Sequence, residues 1–239
     1  MNYHLVMEKR ALLFLDYNET FDDVCEDKGN IFFAALKRFV KHFDGNVEIA
    51  VITSACDIFG NEEQSIKYDL LYTMTLFPQE LKSLFKYLIE GNSMYLTKID
   101  VEGKDIRFEQ PQTLSLSFGK KDDGVELALK TIDTQHKITT CVFAGNDEYA
   151  DLKMMDADVE GREKYFILAN RRILKTEKYP VYRLSMKMPT QQFNYGKQII
   201  ENFENPVTQM IVKTSDKSFG VGKGLEVVTS LLEEKERLK

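Results

Sequence analysis

The stretch Ala11-Leu-Leu-Phe-Leu-Asp-Tyr-Asn-Glu-Thr20 joins five consecutive apolar residues to an abrupt polar run. A short, continuous apolar run is typical of a strand that is buried on both faces, as in a parallel sheet. Apolar residues at helical spacing follow at 31–43, and a second apolar run follows at 47–52. Strand, helix and strand in this order predict a right-handed βαβ unit, and hence an α/β fold with a doubly wound, mostly parallel, Rossmann-like sheet.

The sequence pattern changes between residues 56 and 117. Two helical stretches precede two alternating segments that predict a hairpin; they cover 62–76, 79–90, 93–99 and 104–109. The α/β pattern then resumes, with predicted elements at 122–132, 139–144, 165–169 and from about residue 221, while 171–215 show no clear pattern. We therefore expect a core domain made of residues 1–55 and 118–239, with residues 56–117 as a small α+β domain inserted into it.

Composition narrows the classes of partner. The 239 residues carry a formal net charge of −6, whereas a protein that binds the nucleic-acid backbone normally shows a basic face. The three cysteines have no CxxC spacing, which argues against a structural zinc site or a disulfide framework. The first apolar run is too short for a signal or membrane helix. We expect a cytoplasmic protein that binds neither nucleic acid nor membrane; the sequence does not indicate its oligomeric state.

Polar side chains follow the predicted strands at the points where the strands end. Parallel strands gather their carboxyl ends at one edge of the sheet, and ligands bind there, beside the point where strand order reverses. A lysine pair also precedes the helix predicted at 122–132. Together these residues supply a carboxylate nucleophile, hydroxyl donors, a cation for phosphate and oxygen ligands for Mg²⁺; they are Asp16, Asn18, Thr53, Ser54, Lys120, Lys121, Asn146, Asp147 and Asp151.

Four segments together resemble the motifs of the haloacid-dehalogenase superfamily. Residues 12–20, Leu-Leu-Phe-Leu-Asp-Tyr-Asn-Glu-Thr, resemble motif I, a hydrophobic strand followed by DxDxT. Ile52-Thr53-Ser54 is similar to motif II, and Lys120 or Lys121 to the motif III lysine. Residues 142–151, Val-Phe-Ala-Gly-Asn-Asp-Glu-Tyr-Ala-Asp, resemble motif IV. The inserted segment lies between motifs II and III, the position of the family's C2 cap, so the resemblance is to C2-capped sugar phosphatases of the Cof and trehalose-phosphate phosphatase types.

The resemblance implies a phosphatase mechanism. Asp16 would attack phosphorus and form an aspartyl-phosphate, with Asn18 at the family's acid–base position. Thr53, Ser54 and a motif III lysine would hold the phosphoryl oxygens. Magnesium would be held by Asp16, by Asn18 through its carbonyl, and by motif IV residues drawn from Asn146, Asp147 and Asp151. The implied substrate is a small phosphorylated metabolite, with a sugar phosphate as the family's suggestion.

Two positions depart from the family pattern. Where the phosphatases have a second aspartate in motif I, this chain has Asn18, and an amide cannot carry a proton. In motif IV, an ungapped alignment places Asn146 and Ala150 at the acidic positions, whereas a shift of one residue places Asp147 and Asp151 there. We favour the shifted alignment, and the other stays open. The alternative to an enzyme is therefore a catalytically degenerate relative that binds a phosphorylated ligand or a protein partner.

Overall fold

The computed structural model describes residues 9–18, 20, 29–56, 65–134, 137–170, 174, 178–184, 194–203, 207–215 and 217–239. The strands are β1 (Arg10–Asp16), β2 (Val47–Ile52), β3 (Phe85–Glu90), β4 (Tyr95–Glu102), β5 (Asp105–Phe108), β6 (Gln112–Thr113), β7 (Ile138–Gly145), β8 (Glu163–Ala169), β9 (Val181–Arg183) and β10 (Gln209–Thr214). The helices are α1 (Gly29–His42), α2 (Ile66–Thr75), α3 (Gln79–Lys82), α4 (Lys121–Ile132), α5 (Tyr195–Asn202) and α6 (Lys217–Arg237), with a 3₁₀ helix at Leu152–Asp156.

The strands form one ten-stranded sheet in the order β5-β4-β3-β2-β1-β7-β8-β10-β9, with β6 paired to β4. From β3 to β9 every neighbouring pair is parallel, and the pairings of β4 with β3, β5 and β6 are antiparallel. The predicted α/β class with a doubly wound, mostly parallel sheet is confirmed.

The first apolar run is the central strand of this sheet. Residues of β1 alternate between two cores: Leu13 and Leu15 pack on the face covered by α1, α2, α5 and α6, while Leu12 and Phe14 pack on the face covered by α4 and the 3₁₀ helix. All of 11–15 are fully buried because both faces of the strand are covered. None of the described helices is both long and apolar enough to cross a membrane.

The segment 56–117 differs from expectation in one element. The predicted hairpin is present as β4 and β5, which turn through Gly103 at φ 60°. The helix predicted at 79–90 is wrong beyond residue 82, since β3 occupies its second half. Phe85, Leu88 and Ile89 have helical spacing, but they fill both cores from a strand that pairs in parallel with β2.

The strands of this segment extend the core sheet rather than form a sheet of their own. β3 joins β2, and β4 then joins β3. The expected boundaries at 55/56 and 117/118 therefore have no break in the sheet to mark them. At the other end of the chain, β9, α5 and β10 account for described parts of 171–215, and the C-terminal helix begins at Lys217.

The carboxylate of Asp133 stabilises the link between α4 and β7. Asp133 is buried, with only 3% of its surface exposed. Its carboxylate accepts hydrogen bonds from the backbone nitrogens of Lys137 (2.7 Å) and Ile138 (3.0 Å) and from Nη2 of Arg162 (2.9 Å). We expect Asp133→Ala to lower the free energy of unfolding by about 3 kcal/mol, because it removes the acceptor that two backbone nitrogens and the largely buried guanidinium of Arg162 share. Urea denaturation measures the loss.

The matched control for that experiment is Asp105→Ala. Asp105 is exposed on the edge strand β5, and it forms a salt bridge of 3.8 Å with Arg107, which is exposed as well. Such surface pairs contribute at most about 1 kcal/mol, so the control should change stability by less than about 0.5 kcal/mol. Equal effects of the two substitutions would contradict the role given to Asp133.

Candidate active site

The site lies at the carboxyl edge of the sheet, where β1 stands between β2 and β7. Asp16 at the end of β1 is level with Ile52 at the end of β2, and Leu15 is level with Ala144 of β7. The chain leaves β1 towards β2 on one side and later returns to its other side with β7. Strand order therefore reverses at β1, which is where open α/β sheets bind ligands.

A buried cluster of three charged side chains forms the centre of the site. The ammonium nitrogen Nζ of Lys121 lies 2.5 Å from Oδ1 of Asp16 and 2.5 Å from Oδ1 of Asp151. The second oxygen of Asp16, Oδ2, accepts a hydrogen bond from the hydroxyl of Thr20 at 3.3 Å. All three charged side chains are less than 10% exposed. Two carboxylates and one ammonium leave a net charge of −1 in this cluster.

Burial and the neighbouring charges shift the pKa values of Asp16 and Lys121. Burial raises the pKa of Asp16 to about 6, and repulsion from Asp151 adds to this rise, while the Lys121 ammonium acts against it. Burial by itself would lower the pKa of Lys121, but the carboxylates of Asp16 and Asp151 outweigh burial and raise it. Near pH 7 Asp16 is thus predominantly an anion, with Lys121 as its cationic partner.

The turn after β7 fixes the position of Asp151. Its oxygen Oδ2 accepts hydrogen bonds from the backbone nitrogens of Asn146 and Asp147, both at 2.9 Å. Gly145 permits this close return of the chain, because a Cβ there would lie 2.5 Å from both Cβ and Oδ2 of Asp151. Asp147 stabilises the same turn, since its Oδ1 accepts from the backbone nitrogens at 149 (2.6 Å) and 150 (3.0 Å).

A pocket of about 300 Å³ opens above this cluster. Most of the residues that the sequence singled out line it, together with two that it did not; the lining consists of Asp16, Asn18, Ser54, Asn92, Lys121, Asn146, Asp147, Ala150 and Asp151. Both motif IV alignments place their two residues on this pocket: Asn146 and Ala150 in the ungapped alignment, and Asp147 and Asp151 in the shifted one. The carboxylate that shares Lys121 with Asp16 belongs to Asp151, which is the acid of the shifted alignment.

Two predicted site residues lie differently from the rest. Thr53 is fully buried, and its hydroxyl oxygen accepts a hydrogen bond from the backbone nitrogen of Ala55 at 3.2 Å, so Ser54 is the motif II residue that lines the pocket. Lys120 is exposed at the start of α4 and lies outside the charged cluster, whereas Lys121 lies inside it.

Two residues that lie at the site or are connected to it by hydrogen bonds, Asn92 and Lys213, were not identified from the sequence. Asn92 follows β3 in a left-handed conformation, with φ 62°, and its amide nitrogen donates to the carbonyl of Gly119 at 3.2 Å. Nζ of Lys213 donates to Oδ1 of Asn170 at 2.6 Å, and the amide of Asn170 donates to the carbonyl of Asn146. The sequence signal for the hydrogen bonds of Lys213 was its position as a single lysine within the apolar run of β10.

The oxygen atoms of the side chains that line the pocket are suitable ligands for a hard divalent cation. Mg²⁺ prefers oxygen ligands, and the pocket is lined by aspartates with carboxylate oxygens and by asparagines with amide oxygens. The net charge of −1 in the buried cluster also favours an additional cation. Within the described ranges, no three or more His, Cys, Asp or Glu side chains gather at metal-binding spacing. A magnesium site would therefore combine Asp16 and Asp151 with amide or backbone oxygens.

No protein-family model matches the chain, and no curated protein matches it. Among solved structures, that of Plasmodium falciparum IMP-nucleotidase is similar with a TM-score of 0.41 and 13% identity, over 69% of this chain and 60% of that one. The N-terminal truncated form of that protein gives a TM-score of 0.43 and 12% identity, over 94% of this chain and 72% of the other. This chain thus spans about 60% of the length of the first structure. Similarity at this level assigns neither a family nor an activity to this chain.

Proposed function

We propose that the protein is a Mg²⁺-dependent phosphatase of the haloacid-dehalogenase type, which hydrolyses a small phosphorylated metabolite through an aspartyl-phosphate on Asp16. One observation carries the proposal. A buried carboxylate ends the central strand at the reversal of strand order, faces an open pocket, and lies 2.5 Å from a lysine ammonium. The motif resemblance of 12–20, 52–54 and 142–151 supports it independently.

In the first step, a carboxylate oxygen of Asp16 attacks phosphorus, and the bond between phosphorus and the leaving oxygen breaks. The leaving group departs as an alcohol after taking a proton from water. Lys121 stabilises the negative charge that develops on the phosphoryl oxygens, as fixed cations do most effectively in a partly dehydrated site. Ser54, which is exposed to the same pocket, supplies a hydroxyl donor.

In the second step, water attacks phosphorus, the Asp16–phosphate bond breaks, and inorganic phosphate leaves with the carboxylate regenerated. The side chain at position 18 cannot donate or accept a proton in either step, because Asn18 carries an amide. We therefore propose slow turnover, with water as the proton donor and acceptor.

Bound Mg²⁺ would neutralise phosphoryl charge and orient the phosphate against the nucleophile. Asp16 and Asp151 would hold it with their carboxylates, together with the carbonyl of Asn18 and an amide or backbone oxygen of Asn146 or Asp147. The sugar phosphates implied by the resemblance belong to the substrates to be tested, beside nucleoside monophosphates and simple aryl phosphates.

A second candidate function is favoured by Asn18 and by the pairing of Lys121. A site without an acid–base residue, and with its lysine held by two carboxylates, could retain a phosphorylated ligand without hydrolysing it. This candidate predicts binding of phosphate esters together with no turnover at any Mg²⁺ concentration.

Acid quenching of the working enzyme separates the two candidates. With Mg²⁺ and radiolabelled acetyl phosphate, we expect a covalent label that is stable in acid, is released by hydroxylamine and maps to Asp16 by mass spectrometry. Excess EDTA should reduce both the label and aryl phosphate hydrolysis at least about 100-fold, since the metal supplies several kcal/mol of charge stabilisation. Absence of both label and turnover, with calorimetry showing phosphate ester binding, would leave the binding protein.

A further inference from the structure

A second pocket of about 310 Å³ adjoins the first. The two pockets share the walls formed by Asn92, Lys121, Asp147 and Ala150, so a ligand can extend from one into the other. The proposed function accounts only for the pocket above Asp16. The second pocket lies on the side where the start of α4 faces the 3₁₀ helix, and none of its further lining residues has a role in the mechanism.

The additional lining of the second pocket is basic. Lys120, from the start of α4, and Lys153, from the 3₁₀ helix, both line it, whereas neither lines the pocket above Asp16. Neither lysine forms a salt bridge with a residue in the described part of the chain. Asp156, an acid whose pKa Lys153 helps to lower, is salt-bridged to Lys178 at 2.5 Å.

The one carboxylate among the lining residues of the second pocket, that of Asp147, can offset the charge of only one of these two lysines. Oδ1 of Asp147 already accepts two backbone hydrogen bonds in the turn after β7, at 2.6 and 3.0 Å. Lys121 is likewise occupied by Asp16 and Asp151. Two lysines from different elements thus line the second pocket without a salt-bridge partner in the described part of the chain. Ammonium groups so placed favour carboxylate or phosphate oxygens, to which they donate charge-assisted hydrogen bonds.

We propose that the second pocket binds the leaving group of the substrate, and that this leaving group carries a second acidic group, a carboxylate or a phosphate, which Lys120 and Lys153 hold. The inference rests on the proposed function for the place of the reacting phosphoryl group above Asp16. The exposed ring of Tyr149 forms a further wall of the pocket. The substrate class is then a small acidic phosphomonoester rather than a phosphorylated neutral alcohol.

Paired substrates that differ only in the acidic group test the proposal. With Mg²⁺, kcat/KM for 3-phosphoglycerate is expected to exceed that for glycerol 3-phosphate by about tenfold or more, the effect of one charge-assisted hydrogen bond. Lys153→Met and Lys120→Met should each lower the value for the acidic substrate about tenfold and that for the neutral one less than twofold. Lys130→Met, an exposed lysine in the last turn of α4, is the control and should alter neither.

Calorimetry with 3-phosphonopropionate and propylphosphonate, which differ by the carboxylate and cannot be hydrolysed, measures the same preference without turnover. Tighter binding of the acidic analogue that is lost in Lys153→Met upholds the subsite even if no ester is hydrolysed, in which case the proposed function alone fails. Equal binding of the two analogues, or equal losses for both substrates in the lysine variants, overturns the subsite whatever the rate of hydrolysis.

Discussion

Replacing Asp16 with asparagine is expected to lower the hydrolysis of phosphomonoesters by at least about 10⁴-fold, because loss of a covalent nucleophile removes the step on which every other group acts. The amide is close in size to the carboxylate, so the pocket keeps its shape. The phosphoenzyme label should disappear in parallel with turnover. Initial rates with a chromogenic aryl phosphate and Mg²⁺, beside acid-quenched labelling, measure both effects.

Protein stability provides the check that this loss is chemical. Burial and Asp151 disfavour the ionised Asp16 carboxylate in the folded protein, as its raised pKa of about 6 indicates. Removing that charge should therefore leave the melting temperature without Mg²⁺ unchanged or higher at pH 7.5. Asp100→Asn, at an exposed position of β4, is the matched control and should retain full activity. Retention of more than a tenth of the activity by Asp16→Asn would rule out Asp16 as the nucleophile.

Replacing Asn18 with aspartate is expected to raise turnover by about 10²–10⁴-fold, the usual contribution of a well-placed general acid and base. Asn18 is exposed and lines the pocket above Asp16, so a carboxylate there keeps much of its hydration and costs little to introduce. The pH profile of kcat should gain a limb that the wild type lacks. Steady-state rates between pH 5 and 9 show both changes.

Asn18→Ala is the companion variant. If the amide takes no part in proton transfer, this variant should hydrolyse phosphate esters at about the wild-type rate. A rate for Asn18→Asp that equals the wild type would show that missing acid–base assistance does not limit the reaction. The same rise in Asn18→Ala and Asn18→Asp would point instead to simple relief of crowding in the pocket.

The central strands were predicted correctly from the sequence, because their short apolar runs are compatible with few structures other than a buried strand. The apolar runs at 11–15 and 47–52 are too short for buried helices and end in polar residues, and they form β1 and β2. The run that became β3 was harder, since Phe85, Leu88 and Ile89 satisfy a helical period and a fully buried strand equally well. Only pairing with β2 and β4, which a local pattern does not contain, decides between them.

Most residues that line the pocket above Asp16 were named from the sequence, but the sequence did not separate Lys121 from Lys120 or Ser54 from Thr53, and it did not identify Asn92. Lys120 is the extended N-cap residue of α4 and Lys121 is its first helical residue, so Lys121 enters the charged cluster while Lys120 lines the second pocket. Sequence alone does not give the rotation of the helix about its axis. In motif IV, likewise, the choice of Asp151 over Ala150 depends on the turn that Gly145 allows.

The central position of β1 affects how the protein folds during its synthesis. Its partner β7 comes far later in the chain: the hydroxyl of Thr139 donates to the carbonyl of Arg10 across 129 residues. Long-range parallel pairing closes large loops and is slow. During synthesis, the apolar segment 11–15 can therefore pair on one side at most until β7 has left the ribosome. Over that interval the unpaired edge of this strand exposes the nascent chain to aggregation.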